Sequence, residues 1–152
     1  MSPDGARFMK EEIQNSLACS KDPSEITLKK HLAEGKDVII LNVWRPLCVV
    51  EDNPLGLCKW KSPSEEECPN WGTTPTNPSN AIQAWRYMED QEWFYLSKQK
   101  PDEVYVFLQH DSRAEDKHGI NVPHASFMLE DDHRKLPTRS SFECRVIAIV
   151  ES

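Results

Sequence analysis

Two short strings hold residue types that could do chemistry together: Pro123-His124-Ala125-Ser126-Phe127, and Arg139-Ser140-Ser141 opening the run from Phe142 to Val150. A neutral imidazole is a good ligand for Fe(II). The planar fork of an arginine matches a carboxylate in bidentate fashion, and a serine hydroxyl adds a further donor. A histidine on one strand, a turn, and then Arg-x-Ser at the start of the next strand would set a metal ligand, His124, near a carboxylate grip made by Arg139 and Ser141. The plainer reading of the same residues is a polar strand position and a surface ion pair. Arg145 competes for the grip, because residues 139, 141, 143 and 145 alternate onto one face of an extended chain. The Arg-x-Ser context favours Arg139.

Asn42-Val43-Trp44-Arg45-Pro46-Leu47 places an aromatic plate and a cation at the end of an apolar run. Trp44 could line a substrate pocket with Arg45 pairing an acid at its mouth, or Trp44 could be core and Arg45 a structural ion pair. His110-Asp111-Ser112 invites a reading as a metal pair. Adjacent strand residues point to opposite faces, so it reads better as a strand end running into a turn. His118 and His133 lie in charged surroundings and read as solvated.

These residues need elements to position them. Ser2-Pro3-Asp4 looks like a helix start, and Phe8, Met9, Ile13 and Leu17 form one apolar stripe through about residue 17. Asp22-Pro23-Ser24-Glu25 repeats the capping device and Gly35 ends a second helix, expected at about 23 to 34. Asp37 to Trp44 is a β-branched run bounded by Gly35 and Pro46, hence a strand buried on at least one side. From 46 to 80 prolines interrupt every pattern, which predicts a long proline-rich loop. Extended pieces are expected at 92–97, 103–110, 122–128 and 142–150, while 80–90 could be helix or strand and turn. The fold class is therefore mainly β with N-terminal helices, and residues 1–152 make one domain or part of one.

Composition removes several functions. With 18 basic against 25 acidic residues the net charge is −7, the wrong sign for a surface that must neutralise phosphates, so no nucleic-acid partner is expected. No apolar run approaches the length a bilayer demands, so no membrane span is expected either. The opening Met-Ser-Pro-Asp-Gly has neither a basic nor an apolar leader region, which makes the cytoplasm the expected compartment. Five cysteines at wide spacing suit neither a disulfide framework nor a zinc knuckle and read as reduced thiols.

Taken in order, the strings Asn42 to Leu47, Pro54-Leu-Gly-Leu-Cys58, Glu92-Trp-Phe-Tyr95, Pro101-Asp-Glu103 with Phe107, Asp111-Ser112, Pro123 to Phe127 and Pro137 to Val150 resemble the fungal AsaB-type hydroxylase/desaturase family. That family also includes a gibberellin desaturase and relatives of a cephamycin methoxylase subunit. The resemblance covers about residues 40 to 150. It implies a partial double-stranded β-helix, or jelly-roll, of the 2-oxoglutarate/Fe(II) oxygenase type, oxidising a small secondary metabolite. Within it His124 would be the distal iron ligand, and Arg139 with Ser141 the grip on the 2-oxoglutarate carboxylate. The family's His-x-Asp pair stands just before a segment like Ser2-Pro3-Asp4-Gly5, so the resemblance implies that two of the three iron ligands are absent from this chain. Lys59 stands where the family pattern has an acid. A chain lacking those ligands has a second expected role, as a non-catalytic subunit that binds a metabolite or pairs with a full-length oxygenase.

Overall fold

A computed structural model describes residues 11, 13–59, 87–113, 122–129 and 138–150. The strands are β1 (Asp37–Pro46), β2 (Leu55–Cys58), β3 (Trp93–Phe94), β4 (Tyr105–Asp111), β5 (His124–Ser126) and β6 (Ser141–Val150). They form two three-stranded antiparallel sheets, in the orders β4-β1-β6 and β3-β2-β5. The mainly β expectation holds.

β1 organises the first sheet. Its burial alternates along the strand: Val38, Ile40, Asn42, Trp44 and Pro46 are buried, with only partly buried or exposed residues between. Trp44, Val50, Leu55, Leu57, Tyr105 and Phe107 form one core cluster that draws on both sheets, with Val122 packed against it. Each such side chain taken from water contributes about 1.5–3 kcal/mol. Between Ile40 and Leu41 the register with β4 shifts, which leaves Gln109 as the extra residue. Asn42 Nδ2 donates to Gln109 Oε1 at 2.6 Å there, inside the core.

The opposite end of β1 is covered by helix. The helix Pro23–Ala33 begins as its sequence requires: the Asp22 carboxylate accepts from Ser24 N at 2.8 Å and from Glu25 N at 3.4 Å, with Pro23 in the first turn. It ends where Gly35 takes a φ of 77° and donates to Leu32 O. Residues 13–18 are also helical. Ile13 and Leu17 are buried with Ile40, and Leu28, Leu32 and Ile147 pack around them. Phe8 and Met9, expected on the same stripe, lie outside the described residues.

Three expectations need adjusting. The proline-rich stretch is not all loop, since all four residues of β2 are buried within it. Pro54 stands immediately before the strand, where a missing N–H costs the ladder nothing. The piece at 92–97 contracts to Trp93–Phe94 and that at 122–128 to His124–Ser126. Of the ambiguous 80–90 segment only 87–90 is described, and there Gln91 N bonds back to Met88 O at 3.2 Å in a turn.

Candidate functional site

His124 sits where the chain crosses between the two sheets. Val122 N donates to Leu108 O in the first sheet at 3.0 Å, and Cys58 N donates to Pro123 O at 2.8 Å in the second. His124 itself pairs with Leu57. Its Nδ1 lies 2.8 Å from Val122 O. A carbonyl can only accept, so Nδ1 carries a proton, and in the neutral ring the lone pair is then on Nε2. A backbone carbonyl fixing the tautomer in this way is how metal-binding imidazoles are commonly oriented. The ring lies against Phe107, with centroids 4.7 Å apart.

Arg139 reaches the same core cluster from another direction. Its guanidinium lies 5.4 Å from the centroid of Trp44. Nη1 donates to Asn53 O at 2.7 Å, whereas Nε is buried without a hydrogen-bond partner. Burial pulls this guanidinium below its ordinary value, and the charge of Asp52 opposes the shift. Phe107 and Trp44, the rings that His124 and Arg139 respectively approach, both belong to the one hydrophobic core cluster.

Asp52 holds the second half of this arrangement in place. Buried to 6% exposure, its carboxylate accepts from Thr138 N at 2.9 and 3.0 Å, from Thr138 Oγ1 at 2.8 Å and from Arg139 N at 3.2 Å. Asn53 beside it takes a φ of 46°, a left-handed conformation that asparagine tolerates better than most residues. The turn thereby brings the Asn53 carbonyl to Arg139. Sequence reasoning did not single out Asp52. The only signal was the turn-forming string Asp52-Asn53-Pro54.

The remaining candidates separate. Trp44 is buried at 3% exposure, but Arg45 is exposed and pairs with Phe142, because neighbours on a strand face opposite ways. The structure therefore does not bring Arg45 to a shared pocket with Trp44. Ser141 is partly buried opposite Pro46, and Arg145 is exposed opposite Asn42. Asp111 binds Arg113, with Nε to Oδ1 at 3.0 Å and Nη2 to Oδ2 at 2.8 Å, as fits a strand end entering a turn. Lys59 pairs with Glu92 at 2.7 Å, both side chains well exposed. His118 and His133 lie outside the described residues. Among the described residues no helix is long and apolar enough to cross a membrane, and Cys19, Cys48 and Cys144 are free thiols.

Iron and a carboxylate fare differently when tested against these side chains. Among the described residues no three His, Cys, Asp or Glu side chains come together as a metal-binding group. One imidazole is too few donors, so these residues do not by themselves fit Fe(II). An anionic oxygen does fit: the unpartnered Nε of Arg139 is a buried donor that lacks an acceptor.

Comparison with known proteins gives this geometry its context. A family profile described as "Oxidoreductase/YMDC permease-like domain" matches residues 19–149. An alpha-ketoglutarate-dependent dioxygenase, phiK, from a fungal species is 29% identical over 138 residues, covering 88% of this chain and 48% of the relative. The hydroxylase/desaturase asaB of Aspergillus flavus is 24% identical, covering 86% of this chain and 63% of the relative. The hydroxylase/desaturase CTB9 of Cercospora beticola is 30% identical, covering 74% and 37%. The chain thus spans about half the length of the curated relatives it matches. Among solved structures, an iron and alpha-ketoglutarate-dependent endoperoxidase, NvfI, superposes with a TM-score of 0.67 at 23% identity, covering 100% of this chain and 51% of the other. Its fold is the jelly-roll, and this chain shares it over the matched part. The chain belongs to the oxidoreductase family of that domain profile, with fungal hydroxylase/desaturases of the asaB type as its relatives.

Proposed function

We propose that this chain carries the C-terminal part of the active site of a 2-oxoglutarate-dependent oxygenase that hydroxylates or desaturates a small secondary metabolite in the cytoplasm. The observation that carries the reading is that His124 and Arg139 each approach a ring of one hydrophobic core cluster, the first with Nδ1 held by a carbonyl and the second with a buried donor unpartnered. Arg139 binds and orients the far carboxylate of 2-oxoglutarate, Ser141 stands ready as a second donor, and Asp52 fixes the backbone that presents the guanidinium. Trp44 and Phe107 keep water from that carboxylate, which strengthens its attraction to the cation. His124 offers Nε2 as the distal ligand. The oxygen chemistry is supplied by Fe(II) when it is bound, and its other ligands are to be sought beyond the described residues.

Calorimetric titration of the 152-residue chain with 2-oxoglutarate tests this reading. Arg139→Ala should weaken binding about 30-fold, the size of a lost charge-assisted hydrogen-bond pair, while Arg145→Ala should leave it unchanged. Equal effects of the two substitutions, or none from Arg139→Ala, would remove the assigned grip. Stoichiometric binding of a full-length oxygenase relative, with no uptake of 2-oxoglutarate, would favour the partner-subunit role instead.

A further inference from the structure

We infer that the outward face of the first sheet is an interface between two copies of this chain, packed face to face around Leu41. Residues opposite one another on neighbouring strands share a face. Val106, Val43 and Cys144 therefore make one row across β4-β1-β6, and Leu108, Leu41 and Val146 the next, on the side away from Trp44 and Phe107. Ile39 with Ala148 extends this surface at one end and Phe142 at the other. It lies open to water: Val106 is 59% exposed, Phe142 57% and Val146 43%, and Cys144 is exposed too. Even on the central strand, Ile39, Leu41 and Val43 are only partly buried.

Two strands carry the pattern of a face that is covered. β6 alternates Phe142, Cys144, Val146 and Ala148 with Glu143 and Arg145, and the register sets Glu143 beside Trp44 and Arg145 beside Asn42, on the core side. Its apolar stripe thus points away from the core. Between its ends β1 is apolar on both faces apart from Asn42, as in a sheet covered on both sides, whereas a sheet with one wet face carries polar residues there. An open apolar patch of more than a few hundred Å² marks an interaction surface. Three strands by the length of Asp37 to Arg45 project to about 14 by 27 Å, roughly 400 Å², which suits a weak pair rather than a permanent one.

The charges at the ends of β1 select a second copy as the occupant. Asp37 and Arg45 lie on this face by strand alternation, each four residues from Leu41. A two-fold axis between the sheets, perpendicular to the strands at Leu41, lays one β1 antiparallel over the other. Asp37 of each copy then faces Arg45 of the other, twice over. The same axis sets Leu41 over Leu41, Val146 over Val146, Ile39 over Val43 and Ala148 over Cys144, apolar against apolar. Asp111 and Arg113, which border the face at the Asp37 end, already bind each other. The two layers would stack about 10 Å apart, as in a β-sandwich.

The test uses the whole chain. Sedimentation at rising concentration should show a monomer passing to a dimer with a Kd on the order of 10 μM. Val146→Lys, at an exposed position, sets two ammonium groups against each other and should weaken the dimer about tenfold or more. Arg45→Glu should weaken it about fivefold, and Arg45→Glu combined with Asp37→Arg should restore it. Phe94→Ser, at a similarly exposed apolar residue of the other sheet, should leave it unchanged. Iodoacetamide, which alkylates a thiol with loss of iodide and a proton, should label Cys144 more slowly as the dimer forms and Cys48 at a constant rate. Circular dichroism of each variant checks that the sheets are intact. The inference is overturned by a chain that stays monomeric well above that concentration, whether its face lies bare or takes up an unlike protein. It is overturned equally by a dimer in which Cys144 reacts as fast as before, by a folded double variant no tighter than Arg45→Glu, or by Phe94→Ser weakening the dimer as much as Val146→Lys.

Discussion

Two buried aspartates and two partly buried histidines stand around the core, and they are used differently. At the site, Asp52 binds backbone and side chain 86 residues away, and His124 is tied through Nδ1 to a carbonyl. At the end of β4, Asp111 binds Arg113 two residues on, and the Nδ1 of His110 is buried with no partner. The first aspartate joins the loop before β2 to the lead-in of β6 and so couples the two sheets. The second only shapes its own turn. Similar residue types thus give a long-range anchor with a presentable imidazole in one place, and a local brace with an imidazole kept neutral by burial in the other.

Removing each carboxylate should separate the two roles. Asp52→Ala leaves the donors of Thr138 and Arg139 buried without an acceptor, and should cost about 3 kcal/mol in urea unfolding. It should also abolish the response to 2-oxoglutarate, because the backbone presenting Arg139 is released. Asp111→Asn should cost clearly less, since Arg113 is half exposed and water can replace the lost partner. Equal losses from the two substitutions would erase the distinction between anchor and brace.

The same contrast explains what the sequence disclosed. β1 was legible because a β-branched apolar run stands between Gly35 and Pro46, and the helix Pro23–Ala33 because Asp22, Pro23 and Gly35 act on their immediate neighbours. β2 was not, because prolines on either side masked four residues whose burial comes from a second sheet. Asp52 was hidden for a related reason: its partners come from 86 residues away and leave no trace in local spacing. The separation of Trp44 from Arg45 was within reach, since strand alternation alone forbids both side chains from facing one cavity. The choice of Arg139 over Arg145 rested on its Arg-x-Ser context, and the structure adds what that context could not supply, a tryptophan face beneath the guanidinium.

The smallest effect sharpens the histidine side of the comparison. Burial holds His110 below its ordinary value of 6.5, with the charge of Asp111 pulling the other way. The unfolded chain therefore binds this proton more readily than the folded one. The stability that depends on a neutral His110 is complete above pH 6.5 and drains as the pH falls from there toward the lower folded value. Asp111, held below its ordinary 3.8 mainly by its hydrogen bond from Arg113, contributes stability that is lost only in a more acid window. Unfolding midpoints followed from pH 7.5 to about 5 should thus fall for the native chain and fall less for His110→Gln. In Asp111→Asn the opposing charge is gone, burial acts on the imidazole unopposed, and the decline across that range should steepen. A steeper decline in His110→Gln, or a shallower one in Asp111→Asn, would mean that the imidazole finds a partner for its proton after all, and that the two histidines differ less than their surroundings suggest.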